Sequence, residues 1–448
     1  MNSNISAYGN QAHARPRVVI VGSGFGGLCA AKELTKAPVD TILIDRDNYH
    51  LFTPLLYQVA GAEIDSNEIS YPIRKILRKI GNAQFIMGNM REIDFKTRQV
   101  ATDTITLNYD YLIIATGSRS HFFNIPGAAE YSYPLKNLEN AIALRNRILA
   151  SFEQAAYETD PNKRKSLLTF VIVGGGPTGV EFTGALSELI YGPLRRDYKN
   201  IDFSDVKVIL IEAEDGLLAT MPKKHREYAK LRLQKMRIDV RLNATVNRIE
   251  ADAIHLKDGT RIECNTVIWT AGVQGDPSAK YWGLPVGRGG KVEVQATLQA
   301  PGMENVYIIG DMALVLEKER PLPMVAPVAM QEGTAAARNI AYQIQGKIPM
   351  RFKYNDQGTL ATIGRNAAVA DFSWLKLTGY PAWLLWLAVH LMKLIGFKNR
   401  LLVMINWAWD YLFFERTLRT IQPRDKRQDD KHLIELPKNA IKAKTEIA

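Results

Sequence analysis

A chain of 448 residues has room for two or three domains with substantial cores. Its net charge of +11 favours anionic partners, yet no zinc-finger spacing, RNP motif or base-reading basic helix accompanies it, so nucleic acid is excluded and a membrane surface is favoured. Cys29 and Cys264 are the only cysteines and form no C-x-x-C pair, which excludes a disulfide framework, a cysteine metal site and a thiol–disulfide relay.

Residues 1–16 are polar, lack the apolar core of a secretory signal and read as a flexible lead-in. The β-like run Arg17–Val21 then meets Gly22-Ser23-Gly24-Phe25-Gly26-Gly27 and a helix-like segment. This is a strand–turn–helix with the G-x-G-x-x-G spacing of a dinucleotide site. Gly22 permits the tight reversal, Gly24 lets the backbone approach a pyrophosphate, and Gly27 seats the helix on the strand. The second strand, Thr41-Ile42-Leu43-Ile44-Asp45, ends in an acid at about the expected ~20 residues, suited to a ribose hydroxyl. A buried strand around residues 109–114 runs into Ala115-Thr116-Gly117, a small-residue turn that admits a cofactor. Next come a helix over Leu138–Tyr157 with Asn137 as its N-cap and a charged connector at 160–165.

A second strand–turn–helix follows. Thr169–Val173 leads into Gly174-Gly175-Gly176-Pro177-Thr178-Gly179, with helices after Thr178 and after Pro222. The matching acid is Glu212, at the end of Val208-Ile209-Leu210-Ile211. A carboxylate there accepts from a free 2′-hydroxyl and repels a 2′-phosphate, favouring NADH over NADPH, while Lys223, Lys224 and Arg226 soften that preference. Residues 246–261 read as a hairpin turning at Lys257-Asp258-Gly259-Thr260. Thr266-Val267-Ile268-Trp269-Thr270-Ala271-Gly272 echoes the earlier strand ending at Ala115-Thr116-Gly117, so the doubling extends beyond the glycine turns. Two dinucleotide units in one chain imply electron transfer between two bound dinucleotides. A further buried strand at 305–309 ends in Gly310-Asp311 and returns to the first unit, and a helix runs from Met330 to about Gln345.

Residues 374–414 hold five of the seven tryptophans. The apolar runs 380–392 and 401–409 are separated by a polar break at 396–400, and both fall short of the ~20 residues a membrane span needs. Asn406 and Asp410 form a narrow polar stripe one turn apart. Short apolar helices rich in Trp and flanked by Lys and Arg suit a bilayer interface; a buried helical pair or a dimer interface is the competing use. The tail from Arg416 to Ala448 mixes acids with its bases and reads as disordered beyond about Glu435.

Taken together, the glycine turns, His50-Leu51-Phe52-Thr53-Pro54-Leu55-Leu56-Tyr57-Gln58-Val59-Ala60, Gly310-Asp311-Met312-Ala313 and the aromatic C-terminal region make this chain resemble the type II NADH:quinone oxidoreductases over nearly its whole length. The resemblance implies an α/β fold: two Rossmann-like dinucleotide-binding domains and a C-terminal amphipathic, membrane-anchoring helical region. The expected division is FAD domain 17–160 and 296–370, NADH domain 161–295, and membrane-associating region and tail 371–448. It implies tightly bound FAD contacted by Gly22, Gly24, Phe25, Gly26, Gly27, Asp45, Thr116, Gly117, Asp311 and Ala329. NADH would be held by Gly174, Gly176, Thr178, Gly179, Glu212 and Gly272. Glu181, in the first turn of its helix, would stand at the nicotinamide–flavin junction. The family's quinone motif, A-Q-x-A-x-Q, reads here Ala326-Pro327-Val328-Ala329-Met330-Gln331, so Gln331 matches the last glutamine and Pro327 replaces the first. The implied reaction is ping-pong, from NADH through FAD to a membrane quinone, without proton pumping. Its expected place is the cytoplasmic face of a bacterial inner membrane, with a homodimer through the C-terminal helices as a further partner state. A sulfide:quinone oxidoreductase would need cysteines near the flavin, and a soluble NADH oxidase or peroxidase an early redox cysteine. A redox-signalling NADH-binding protein would show slow turnover with quinone.

Overall fold

The computed structural model describes residues 15–416 and 418–422. The lead-in at 1–14 and the tail beyond 422, on which two of the expectations above fall, lie outside the described residues. Ten strands carry the two main sheets: β1 (Arg17–Val21), β2 (Asp40–Asp45), β3 (Ala83–Met87), β4 (Tyr111–Ile114), β5 (Ser132–Pro134), β6 (Thr169–Val173), β7 (Lys207–Ile211), β8 (Ile238–Arg241), β9 (Thr266–Trp269) and β10 (Val306–Ile308). The first sheet has the order β10-β4-β1-β2-β3 and the second β5-β9-β6-β7-β8, and every pairing is parallel. The glycine-bearing strand is central in each. β1 and β6 are buried along their whole length, as all-apolar parallel strands covered on both faces must be.

The principal helices are α1 (Phe25–Glu33), α2 (Leu138–Tyr157), α3 (Pro177–Leu189), α4 (Lys223–Lys235), α5 (Ala326–Ile344), α6 (Tyr380–Lys393) and α7 (Phe397–Phe413). The Asn137 side chain accepts from the Asn140 amide at 2.8 Å, the expected cap of α2. Helix α5 begins four residues before the expected start, because Pro327 lies in its first turn, where no amide donor is needed. The connector at 160–165 is largely a short helix, Pro161–Leu167, capped by Asp160 through the Asn162 amide at 2.8 Å; none of its residues is buried, so it leaves no apolar periodicity to read. The expected hairpin is a three-stranded meander, Val246–Ile249, Ala253–Leu256 and Arg261–Glu263, turning at Lys257–Thr260 as read and again at 250–252. The polar break between the C-terminal runs is shorter than read: α7 already starts at Phe397, and the reversal centres on Gly396 at φ +91°.

The two sheets exchange chain at points other than 160 and 296. β5, inside the span expected for the FAD domain, pairs with β9 of the second sheet. Conversely Ala279, Trp282, Leu284 and Val292 share a core with Val19, Val21 and Ile44 of the first sheet. The antiparallel pair Ser118–Ser120 with Val273–Gly275 joins the two units. A three-stranded antiparallel sheet (Thr359–Thr362, Ala368–Asp371, Lys376–Gly379) leads into α6, which buries Ala382 and Trp386; α7 buries only Val403. Among the described residues no helix is long and apolar enough to cross a membrane.

Helices α1 and α5 cross where Gly26 and Gly333 meet. A Cβ on Gly333 would overlap the Gly26 carbonyl oxygen and lie 3.1 Å from its Cα. Gly333→Ala should therefore cost about 1–3 kcal/mol of stability by overpacking. Gly81→Ala, at an exposed position with nothing within 4 Å, should stay within about 0.5 kcal/mol of the parent. Urea midpoints of the two variants test the pair, and equal midpoints would refute the crossing argument.

Candidate functional site

In the first glycine turn, Gly22 takes φ +106° and its amide donates to the Ile44 carbonyl at 2.8 Å. A Cβ there would overlap the Ala115 carbonyl, and one on Gly27 would overlap the Gly22 carbonyl. Gly24, the residue before α1, has nothing within 4 Å of its Cβ direction and no side-chain cap. The first-turn amides of α1 thus face an open cradle at the positive end of the helix, ready for an anion. Asp45 braces this cradle: one oxygen accepts from the Ser23 amide at 2.6 Å and hydroxyl at 2.7 Å, the other from the Asp47 amide at 3.0 Å. Thr116 Oγ1 is buried and has no hydrogen-bond partner among the described residues, and the neighbouring Gly117 has φ +74° and open space beyond it. His50 is a site residue whose partner the sequence does not reveal. Its Nδ1 stands 3.0 Å from the Ser23 carbonyl, which can only accept, so Nδ1 carries the proton. Burial lowers the ring to about 4, keeping it neutral, and Phe25 packs edge-on to it at 5.0 Å.

Asp311 follows β10, where Ser118 donates to it and Lys136 Nζ approaches to 3.7 Å. Gly26 and Ala329 are brought together, the Ala329 carbonyl lying 3.0 Å from where a Gly26 Cβ would stand. Beside them Glu332, unmarked in the sequence reading, accepts from the Gly310 amide at 2.5 Å, and burial pushes it up to about 8.

The second turn repeats the first. Gly174 takes φ +110° and donates to Ile211 at 2.8 Å; Gly176 precedes α3 with open space around it; a Cβ on Gly179 would overlap the Gly174 carbonyl. Thr178 is exposed in the first turn of α3. Glu212 accepts from the Gly175 amide at 2.5 Å and from the Glu214 amide at 2.9 Å, bracing its loop as Asp45 braces the other. Gly272, at φ +70°, abuts Phe123, whose ring leaves only 2.5 Å to a Cβ. Arg226, expected to soften the cofactor preference, is instead ion-paired to Asp215.

Glu181 lies in the second turn of α3, not the first, since Pro177 opens the helix. It is buried, and one carboxylate oxygen accepts from Trp386 Nε1 at 3.2 Å and from the Thr362 amide at 3.4 Å. Burial pushes the carboxyl up to about 8, so it is protonated at neutral pH. It lines a cavity of about 890 Å³ walled by Tyr57, Trp383, Trp386, Leu387 and Trp407. Trp407 Nε1 donates to Gln58 at 2.9 Å, so each C-terminal helix fixes an indole to a polar group of the nucleotide domains. Gln331 does not line this cavity. Its amide is committed to the Asn355 backbone, donating to the carbonyl and accepting from the amide at 2.9 Å each. Burial disfavours both thiolates: it raises Cys29 and pushes Cys264 up to about 12.

Twin parallel sheets, each with a glycine turn opening a helix, and a cavity walled by residues of both units and of the aromatic C-terminal helices define the class of two-dinucleotide-domain oxidoreductases. Residues 16–333 match the pyridine nucleotide-disulphide oxidoreductase family, and residues 357–416 match the NDH2 C-terminal domain. The chain is 40% identical to the type II NADH:quinone oxidoreductase Ndh of Mycobacterium tuberculosis, over 92% of this chain and 91% of that one. With NdhA of the same organism the identity is 38%, over 89% and 87%. The structure of NDH2 from Plasmodium falciparum in complex with NADH shares the fold, with a TM-score of 0.84 over 91% of this chain and 100% of that one at 22% identity. The chain belongs to the type II NADH:quinone oxidoreductases.

Because Glu181 is raised, the folded protein retains a proton that the unfolded chain has lost above its ordinary value of about 4.3. The stability this contributes is complete below that value and lost as pH rises through about 8. Glu181→Gln, which cannot ionise, should flatten the decline in Tm between about pH 5 and about pH 8. Parallel slopes for variant and parent in a thermal-melt series would show that the carboxyl ionises normally.

Proposed function

We propose that this protein oxidises NADH and reduces a membrane quinone through tightly bound FAD, without proton pumping. The observation that carries this reading is the doubled glycine cradle in a chain whose two units also wall one aromatic cavity. The first cradle fits FAD: Gly24 leaves the approach open, and among the described residues Thr116 Oγ1 has no hydrogen-bond partner. FAD supplies two-electron chemistry between a hydride donor and a quinone; the chain supplies position and electrostatics. Gly22, Gly24, Phe25, Gly26 and Gly27 form its pyrophosphate cradle, Asp45 faces the adenosine ribose, and Thr116, Gly117, Asp311 and Ala329 line the rest. Gly174, Gly176, Thr178 and Gly179 receive the NADH phosphates, with Gly272 alongside. Glu212 discriminates against a 2′-phosphate, and Arg226, held by Asp215, does not offset it. Glu181, protonated and fixed by Trp386, is the acid at the cavity wall. Gln331 acts through the Asn355 segment that it clamps.

The exposed side chains of α7, among them Leu401, Ile405, Trp409 and Leu412, give the chain a lipid-facing surface. This makes the protein peripheral to the membrane, on the cytoplasmic side where NADH is supplied. A homodimer through the same face is the alternative use of that surface.

Anaerobic stopped-flow at about 450 nm tests the reading. NADH should bleach the flavin quickly, NADPH poorly, and a short-chain quinone should restore the absorbance. Absence of bleaching by NADH would overturn it, and bleaching without reoxidation would point to another acceptor. Glu212→Gln keeps an acceptor for the Gly175 amide while removing the charge. It should narrow the NADH preference by about tenfold, or ~1.4 kcal/mol; an unchanged ratio would place discrimination elsewhere.

A further inference from the structure

The proposed reaction is NADH + H⁺ + quinone → NAD⁺ + quinol. The hydride carries two electrons and one proton, and the quinol needs two of each. One proton per turnover must therefore come from water, and it must reach a cavity walled by Trp side chains and lipid-facing helices.

Every element around the cavity presents charge or titratable groups to it. Glu181 and Glu188 come from α3, Tyr57 and Glu63 from the segment after β2, and Arg232, Lys235 and Arg237 from α4 and its end. Tyr191 follows α3, Arg365 lies in a strand turn, Tyr380 opens α6, and Asp410, Tyr411 and Arg416 come from α7 and its exit. Most are engaged. Arg416, only 6% exposed, donates to Glu63 at 3.0 Å and Glu188 at 3.2 Å, and to the Gly61 and Ala185 carbonyls at 2.8 and 2.7 Å. The Arg365 guanidinium stacks on Tyr411 and Phe414, 4.1 and 3.9 Å from their ring centres. Arg237 lies over the Tyr191 ring.

Asp410 differs. Among the described residues its carboxylate makes no hydrogen bond or ion pair, although it lines the cavity. It stands in the last turn of α7, a helix whose other charged residues, Lys398 and Arg400, lie in its first turn, and it sits beside exposed Trp409, Leu412 and Phe413. An ionisable group on such a lipid-facing helix is costly and marks a function.

We propose that Asp410 is the inlet through which the solvent proton enters the cavity, on its way to Glu181 past the Glu63 and Glu188 pair held by Arg416. This rests on the quinone-reducing reading above. The charges facing Asp410 are those of Arg416, Glu188, Arg365 and Arg419; burial outweighs them and pushes it up to about 7. Burial pushes Glu63 up to about 8, with Arg416 opposing and Glu188 and Asp410 adding to the rise. An acid near the working pH both accepts and releases a proton readily. A cavity of about 890 Å³ also has room for water between the carboxyls.

The test is stopped-flow of the FAD-loaded protein on liposomes, across about pH 6 to about pH 9, in water and in deuterium oxide. Asp410→Asn should slow quinone reoxidation by about tenfold or more, increasingly at high pH, with the loss falling on reoxidation rather than on bleaching by NADH. Its solvent isotope effect should rise, imidazolium buffer should restore the rate, and Asp410→Glu should retain it. Glu63→Gln carries the same expectation should Asp410→Asn not yield folded protein. A pH profile and isotope effect like the parent's would overturn the inlet. So would a loss that is independent of pH and insensitive to imidazolium, which marks a structural role. Failure of the parent itself to be reoxidised by quinone would instead overturn the functional reading.

Discussion

No side chain fits where each glycine turn meets the helix it opens. A Cβ on Gly27 or Gly179 would overlap the carbonyl of Gly22 or Gly174, and one on the first glycine of each turn would run into the backbone of Ala115 or Ala271. The helix can lie on its strand only while these positions stay bare. That packing directs the first-turn amides outward, toward Gly24 and Gly176, where nothing occupies the space. It also places the acid ending the next strand within reach of the loop, so that Asp45 accepts from Ser23 and Glu212 from Gly175. The two units therefore reach the same solution from different local sequences: a cradle built from backbone, braced by a carboxylate, and open to an anion.

What could be read from the sequence follows from this. A backbone constraint leaves glycines at fixed offsets and uninterrupted apolar strands, and both survive in the letters. Hence the twin sheets, the paired acids, the Asn137 cap and the return of residues 306–308 to the first sheet were all legible. Features that depend on distant partners were not. Trp386 meets Glu181 across 205 positions of chain, so nothing near Glu181 announces its burial. Gln331 matches a motif position, but its engagement depends on the path of the Asn355 segment. Ser132–Pro134, at three residues, is too short to register as a strand, and it pairs on the open edge of β9. The helix Pro161–Leu167 buries nothing, so its periodicity carries no signal.

The C-terminal helices do more than expose an apolar surface. Trp386 of α6 and Trp407 of α7 each donate an indole N–H to a polar group of the nucleotide units, Glu181 and Gln58. The exit of α7 is tied down by Arg416, which reaches the carbonyls of Gly61 and Ala185 and two carboxylates. Removing water around Glu181 and Glu63 raises their affinity for protons, since a carboxylate is poorly solvated in apolar surroundings. The helices that would dip into the membrane thus also form the dry wall that raises the proton affinity of these acids. Electron transfer to a quinone needs that combination: an apolar chamber to receive the molecule and a source of protons within it. Here a single structural element, the pair α6 and α7, sets both. A change in how these helices seat on the core would therefore alter acidity and access together.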